Sequence, residues 1–128
     1  MKDDAEILAQ LIKATATVPL EEEYGKPCLT LREVQAPDSL VTVRGVPTDT
    51  VAIKVDTFSA PDAIFKGEHG ECKRADYVLI SPEIRTIIYI EIKRTRDGLE
   101  DIVKQLKGAQ CFVQYCRDIG KTFWDEAN

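Results

Sequence analysis

The stretch "RADYVLISPEIRTIIYIEIKR", Arg74 to Arg94, decides how this chain is to be read. It holds two apolar runs, "ADYVLI" and "TIIYIEIK", joined by "SPEIR", whose Ser81-Pro82 pair is a turn signal. Alternation and β-branched residues make the runs strands, and the short join makes them an antiparallel hairpin. Pairing Ile80 with Ile87 sets the register, so paired residue numbers sum to 167. Asp76 then stands across from Glu91, with Cβ atoms roughly 5 Å apart. Strand alternation puts Asp76, Val78, Ile80, Ile87, Tyr89, Glu91 and Lys93 on one face. Tyr77, Leu79, Ile88, Ile90 and Ile92 take the other. Both faces are apolar, which predicts helices over both.

Outward from this hairpin the elements are less sharply marked. Asp4 to Ala14 carries Ile7, Leu8, Leu11 and Ile12 on one helical face. "TVPLEEEYGKPCLTLREVQAPDSL" reads as a long connection, with a short helix near Glu21 to Glu23 or a strand near Leu29 to Val34. "SLVTVRG" and "DTVAIKVDTF", separated by Gly45-Val46-Pro47, suggest a second antiparallel hairpin. "SAPDAIFKGEHGECK" reads as a loop. The segment "RDGLEDIVKQLKGAQCFVQYCRDIG" carries the strongest helical pattern, with Leu99, Ile102, Val103, Leu106 and Val113 on one stripe. Asp97 and Glu100 form a capping-box pattern at its start, and Gly120 marks its end. Helix, long connection, two strands, two strands and helix together predict an α/β or α+β domain with a mixed or antiparallel central sheet flanked by helices.

The bulk numbers narrow the function classes. With 128 residues the chain is one domain, 1–128, able to close a core without staples. No run reaches the roughly 20 apolar residues of a membrane span, and the start "MKDDAEILAQ" has no secretory pattern. A cytoplasmic location is expected. The net charge of −5 argues against coating nucleic acid by charge alone. A local basic patch remains available in Lys93, Arg94, Arg96, Lys104 and Lys107, against the alternative of a solvated helix face balanced by Asp97, Glu100 and Asp101. Cys28, Cys72, Cys111 and Cys116 contain no CxxC pair and read as free thiols. A zinc set of His69, Cys72, Cys111 and Cys116 is disfavoured, because a five-residue separation turns two helical thiols to different faces.

The charged residues of the hairpin carry the chemistry. Two adjacent carboxylates at a buried sheet end repel, and a divalent cation removes the conflict. Magnesium suits carboxylate oxygens and retained waters. The Ile92 carbonyl is a further candidate oxygen, and Lys93 a group to orient water or meet charge on phosphorus. The plain alternative is a cross-strand salt bridge at a solvent-facing sheet end.

Asp76 in "RADYVLI", with Glu91 and Lys93 in "IYIEIKR", resembles the PD-(D/E)XK phosphodiesterase superfamily, whose shared core is the restriction-endonuclease-like fold. The resemblance covers about Ala75 to Tyr115. It implies an αβββαβ core and magnesium- or manganese-dependent cleavage of DNA or RNA phosphodiesters, with DNA the first expectation as partner. Asp76 and Glu91, with Ile92, would be metal ligands, and Lys93 would orient water or stabilise charge. Some members add a glutamine on the following helix. Gln105, twelve residues after Lys93, is the candidate, with Gln110 nearby, although Ala109 stands where one branch has a tyrosine. Glu6 is the candidate for a first-helix glutamate. After Gly120 only "KTFWDEAN" remains for the family's last strand, so that strand is expected to be very short, cut off, or replaced by a partner subunit, as in a homodimer. Two rival expectations stand beside the nuclease: a non-catalytic nucleic-acid-binding or assembly protein on the same fold, and an enzyme using Cys72 or Cys116 as nucleophile.

Overall fold

A computed structural model describes residues 4–33, 36–92 and 98–124. The fold is α+β, with two antiparallel sheets. Helix α1 (Asp4–Leu11) leads into strand β1 (Thr17–Val18). Strands β2 (Glu21–Glu23), β3 (Lys26–Glu33) and β4 (Ala36–Arg44) form one sheet in that order. Strands β5 (Val51–Lys54), β6 (Tyr77–Ser81) and β7 (Thr86–Ile90) form the other, with β1 on the outer side of β5. A long helix α2 (Leu99–Phe123) follows.

The central hairpin has the expected register. Tyr77 pairs with Ile90, Val78 with Tyr89, Leu79 with Ile88, Ile80 with Ile87 and Ser81 with Thr86. The turn is held from outside by Asp49, whose carboxylate accepts from the Ser81 hydroxyl at 2.8 Å and the Glu83 N–H at 2.7 Å. Every β6 residue is buried. Val78 and Ile80 join Ile53, Val55, Leu8, Ala109, Phe112, Val113 and Cys116 in one core, with Ile87 and Tyr89 packed against it. Tyr77 and Leu79 join Leu29, Leu31 and Ala52 in a second core, with Ile90 and Ile92 against it.

The second core corrects one expectation. Helices α1 and α2 cover only one face of the central sheet, and the other is covered by the β2–β3–β4 sheet. All strand pairings among the described residues are antiparallel, so the sheet is not mixed. Leu29 and Leu31 alternate inward from β3 and are fully buried, which is what a sheet packed face to face on another requires. The Tyr77 hydroxyl crosses between the layers: it accepts from the Arg32 N–H at 3.1 Å and donates to the Arg32 carbonyl. A buried tyrosine thereby finds partners for its polar tip.

Other local expectations also change. Glu21–Glu23 is a strand, not a short helix, and it turns into β3 through Tyr24 and Gly25, both at positive φ. Such a turn matches the twist of the strands it joins. The proposed hairpin of "SLVTVRG" with "DTVAIKVDTF" does not form. Strand β4 pairs with β3, β5 pairs with β1 and β6, and residues 45–50 carry the chain from one sheet to the other.

In α2, Gly120 does not end the helix, which continues to Phe123. Gly120 is buried against α1, where a Cβ would stand 3.0 Å from Ile7 Cγ2. Closer contact occurs at Gly108, where a Cβ would fall 1.6 Å from the Lys73 carbonyl oxygen. Only glycine lets this main chain cross the helix. The N-cap position is Gly98, without a side-chain cap, and the predicted Asp97 cap lies outside the described residues.

Candidate active site at the open end of the central hairpin

Residues 55–76 run from β5 to β6 along α2 and deliver Asp76 to the end of the hairpin. Phe58 packs on Phe112 and Tyr115, with ring centroids 5.0 and 6.1 Å apart. Lys104 lies against Gly70, and Lys73 forms an ion pair with Asp101 in the first turn of α2. The Lys73 carbonyl rests on Gly108, and Ala75 is fully buried. Arg74 donates to the carbonyls of Val55 at 3.2 Å and Asp56 at 3.1 Å. These contacts tie the approach to Asp76 both to α2 and to the end of β5.

Asp76 is held on both sides. Its main-chain carbonyl accepts from the Val55 N–H at 3.0 Å. Its carboxylate oxygen Oδ2 accepts from the Ile92 N–H at 2.9 Å. The side chain of Asp76 thus takes a place that a strand carbonyl would fill, one step past the last ladder pair, Tyr77 with Ile90. Charge-assisted hydrogen bonds of this kind are stronger than neutral ones. The ladder itself ends at Tyr77 with Ile90, and one further step of its register would set Glu91 across from Asp76. Glu91 is half-buried, two residues after Tyr89 and therefore on the helix-covered side. Ile92 is half-buried with its side chain against the other core. The Ile92 group that the structure brings to Asp76 is its N–H, not the carbonyl singled out from the sequence. Lys93 lies outside the described residues.

Gln105 is not an exposed helix position. It stands four residues before the fully buried Ala109, at the N-terminal extension of the stripe that runs on through Val113 and Cys116. Its Oε1 is buried without a hydrogen-bond partner among the described residues. Gln110 and Glu6 are exposed, which leaves Gln105 as the helix glutamine on the sheet-facing side. The sequence signal for this was the spacing from Gln105 to Ala109, hidden because Ala109 was not counted in the apolar stripe.

Among the described residues no group of three or more His, Cys, Asp or Glu side chains could hold a metal ion. The zinc set accordingly has no support: Cys116 is buried in the core while Cys111 is exposed. Cysteine nucleophilic chemistry fares no better. Burial pushes the Cys116 thiol up to about 11, and burial followed by the nearby Glu71 and Asp62 charges raises that of Cys72. A nucleophilic thiol needs the opposite shift. An open cleft of about 410 Å³, lined by Glu23, Tyr24, Lys26, Cys28, Arg44 and Gly45, belongs to the second sheet and shares no residue with the carboxylate end.

The side chains of Asp76 and Glu91 offer hard carboxylate oxygens, the donor type preferred by Mg²⁺ or Mn²⁺. No helix among the described residues is long and apolar enough to cross a membrane. Comparison with models of protein families, with curated proteins and with solved structures finds no match.

Proposed function

We propose that this protein is a metal-dependent nuclease that hydrolyses phosphodiester bonds of nucleic acid, with DNA the first substrate to test. The observation that carries the reading is the Asp76 carboxylate, fixed by the Ile92 N–H at the end of two paired strands whose register, continued one step, would bring Glu91 opposite. The order α1, β5–β6–β7, α2 supports a restriction-endonuclease-like core, with β2 to β4 as an addition that builds the second layer.

Asp76 and Glu91 hold Mg²⁺ or Mn²⁺, with a main-chain oxygen at Ile92 as the third protein donor. The bound ion supplies an activated water and offsets charge on the phosphate. Lys93, two residues beyond Glu91, orients that water or meets the charge developing on phosphorus. Gln105 offers its amide to the same region from α2. With a net charge of −5, the chain relies on a second copy or an added domain for much of its phosphate-binding surface.

The test is cleavage of single-stranded, duplex and branched substrates in Mg²⁺ or Mn²⁺, comparing the wild type with Asp76→Ala and Lys93→Ala. Loss in both variants is expected. Cleavage that persists unchanged removes the site. The alternative, a non-catalytic nucleic-acid-binding or assembly protein, draws on the outer edge of β7, to which no strand pairs among the described residues. Calorimetric titration with either metal separates the two readings. Binding that weakens in Glu91→Gln favours the nuclease, and no binding under any condition favours assembly.

A further inference from the structure

The end of the central sheet that holds Asp76 also carries two cations from neighbouring parts of the chain. Arg74 is half-buried and curls back on the end of β5. Its Nε donates to the Val55 carbonyl at 3.2 Å and its Nη2 to that of Asp56 at 3.1 Å. Lys54, also half-buried, is the last residue of β5 and stands opposite Tyr77 in the ladder. It immediately precedes Val55, so both cations belong to one corner of the sheet. Neither makes an ion pair among the described residues, whereas Lys73, one residue before Arg74, is paired with Asp101. Main-chain carbonyls satisfy donors but leave the guanidinium charge uncompensated. Withdrawing such a charge from water without an opposite partner is costly.

The donors that remain set the chemistry of that corner. A planar guanidinium has two edges that each present a pair of parallel N–H groups. The edge formed by Nε and Nη2 is spent on the two carbonyls. The edge formed by Nη1 and Nη2 makes no hydrogen bond among the described residues. Two parallel donors carrying a full positive charge fit two oxygens of a phosphate. Strand β6 lies between β5 and β7, so the ends of the outer two are two strand spacings apart, about 10 Å. Asp76 bridges this width, its carbonyl on the Val55 N–H and its carboxylate on the Ile92 N–H. The guanidinium and the carboxylate thus occupy two sides of one sheet end. We propose that Arg74, with Lys54 beside it, binds a backbone phosphate of nucleic acid next to the one cleaved at Asp76 and Glu91. This subsite rests on the nuclease reading and extends it, because it holds the strand and takes no part in the bond broken. In a chain of net charge −5, it concentrates attraction for phosphate at the end that carries the carboxylates.

The test is binding of labelled single-stranded and duplex oligonucleotides, followed by fluorescence anisotropy over a range of salt concentrations. EDTA removes metal, so binding is read without metal-dependent cleavage. Arg74→Gln should weaken binding about tenfold. It should also make the slope of log K against log salt shallower by about 0.7 for a single strand and about 0.9 for a duplex, the share of one phosphate contact. Lys54→Gln, which leaves the Arg74 hydrogen bonds in place, should make the slope shallower too. Arg74→Lys keeps the charge and should keep the slope, while recovering only part of the affinity because the paired donors are lost. An Arg74 that only secures the end of β5 would leave the slope unchanged in Arg74→Gln, and that result overturns the proposal. So does a wild type that binds no oligonucleotide. Should circular dichroism show Arg74→Gln unfolded, Lys54→Gln decides alone by the same criterion. Cleavage by the wild type in Mg²⁺ is scored separately. Shallower slopes without any cleavage keep the phosphate-binding subsite and remove the nuclease reading, whereas cleavage with unchanged slopes does the reverse.

Discussion

Asp76 Oδ2 accepts the main-chain N–H of Ile92 at 2.9 Å, so a carboxylate proposed to bind metal also closes the end of a β ladder. The two roles make different demands on the side chain. Asp76→Asn keeps an oxygen for the Ile92 N–H but lowers the charge of the site. It should leave thermal stability within about 1 kcal/mol of the wild type while abolishing metal-dependent cleavage. Asp76→Ala should lose both, with a stability cost of about 1–3 kcal/mol for the unpaired N–H. Thermal unfolding measured beside cleavage separates these outcomes. Equal activity in Asp76→Asn and wild type contradicts the metal role.

Gly108 is the second position at which a single atom decides the outcome. A Cβ there would lie 1.6 Å from the Lys73 carbonyl oxygen, far inside contact distance. Gly108→Ala must therefore push residues 73–76 away from α2, despite the better helix propensity of alanine. Overpacking of this kind costs about 1–3 kcal/mol or more. The melting temperature should fall, and cleavage should fall with it because the displaced segment leads directly into Asp76. An Ala variant as stable as the wild type would mean that this crossing is looser than the geometry shows.

The contrast between these residues explains what could be read from the sequence. The register of β6 with β7 was legible because a short turn and strict alternation leave one way to bury Val78 and Ile80 together. The two faces followed from that. What covers each face was not legible. Leu29 and Leu31 signal a strand, but nothing local says that β3 packs on the Tyr77 side of a sheet formed far along the chain. The stretches "SLVTVRG" and "DTVAIKVDTF", which contain much of β4 and all of β5, are both rich in valine and threonine, so their neighbourhood in sequence suggested a hairpin. Their pairing is decided instead by which partners bury Ala52 and Ile53. Gly120 resembled a helix stop because glycine serves both helix ends and close helix contacts, and only the position of Ile7 distinguishes the two. At the site, the register that leads toward Asp76 and Glu91 was legible as far as Tyr77 with Ile90, whereas the Ile92 N–H bond depends on how β7 leaves the sheet.

The Tyr77 hydroxyl joins the two layers through Arg32. Tyr77→Phe removes both hydrogen bonds and leaves a main-chain N–H and carbonyl without that partner. The expected loss is about 1–3 kcal/mol, measured by chemical denaturation, with little change in the size of the unfolding transition's slope. A neutral Phe variant would indicate that water satisfies the Arg32 main chain equally well.

The cysteines give a probe of the helix-covered core. Cys116 is buried, and its thiol is pushed up to about 11 from an ordinary value of 9.0. The neutral thiol is thus favoured by folding. Its contribution is fully present below the unfolded value near 9.0, and it is lost as pH rises through about 11, because the unfolded chain releases its proton first. Stability should therefore decline between these pH values by a part that disappears in Cys116→Ala, measured relative to each protein's own stability at neutral pH. At neutral pH, iodoacetamide should modify the exposed Cys111 rapidly and Cys116 only at the rate of opening. Mass spectrometry of the labelled peptides reads both. Fast labelling of Cys116 in the native protein would contradict a core closed by Ala109, Phe112 and Val113 against Val78 and Ile80.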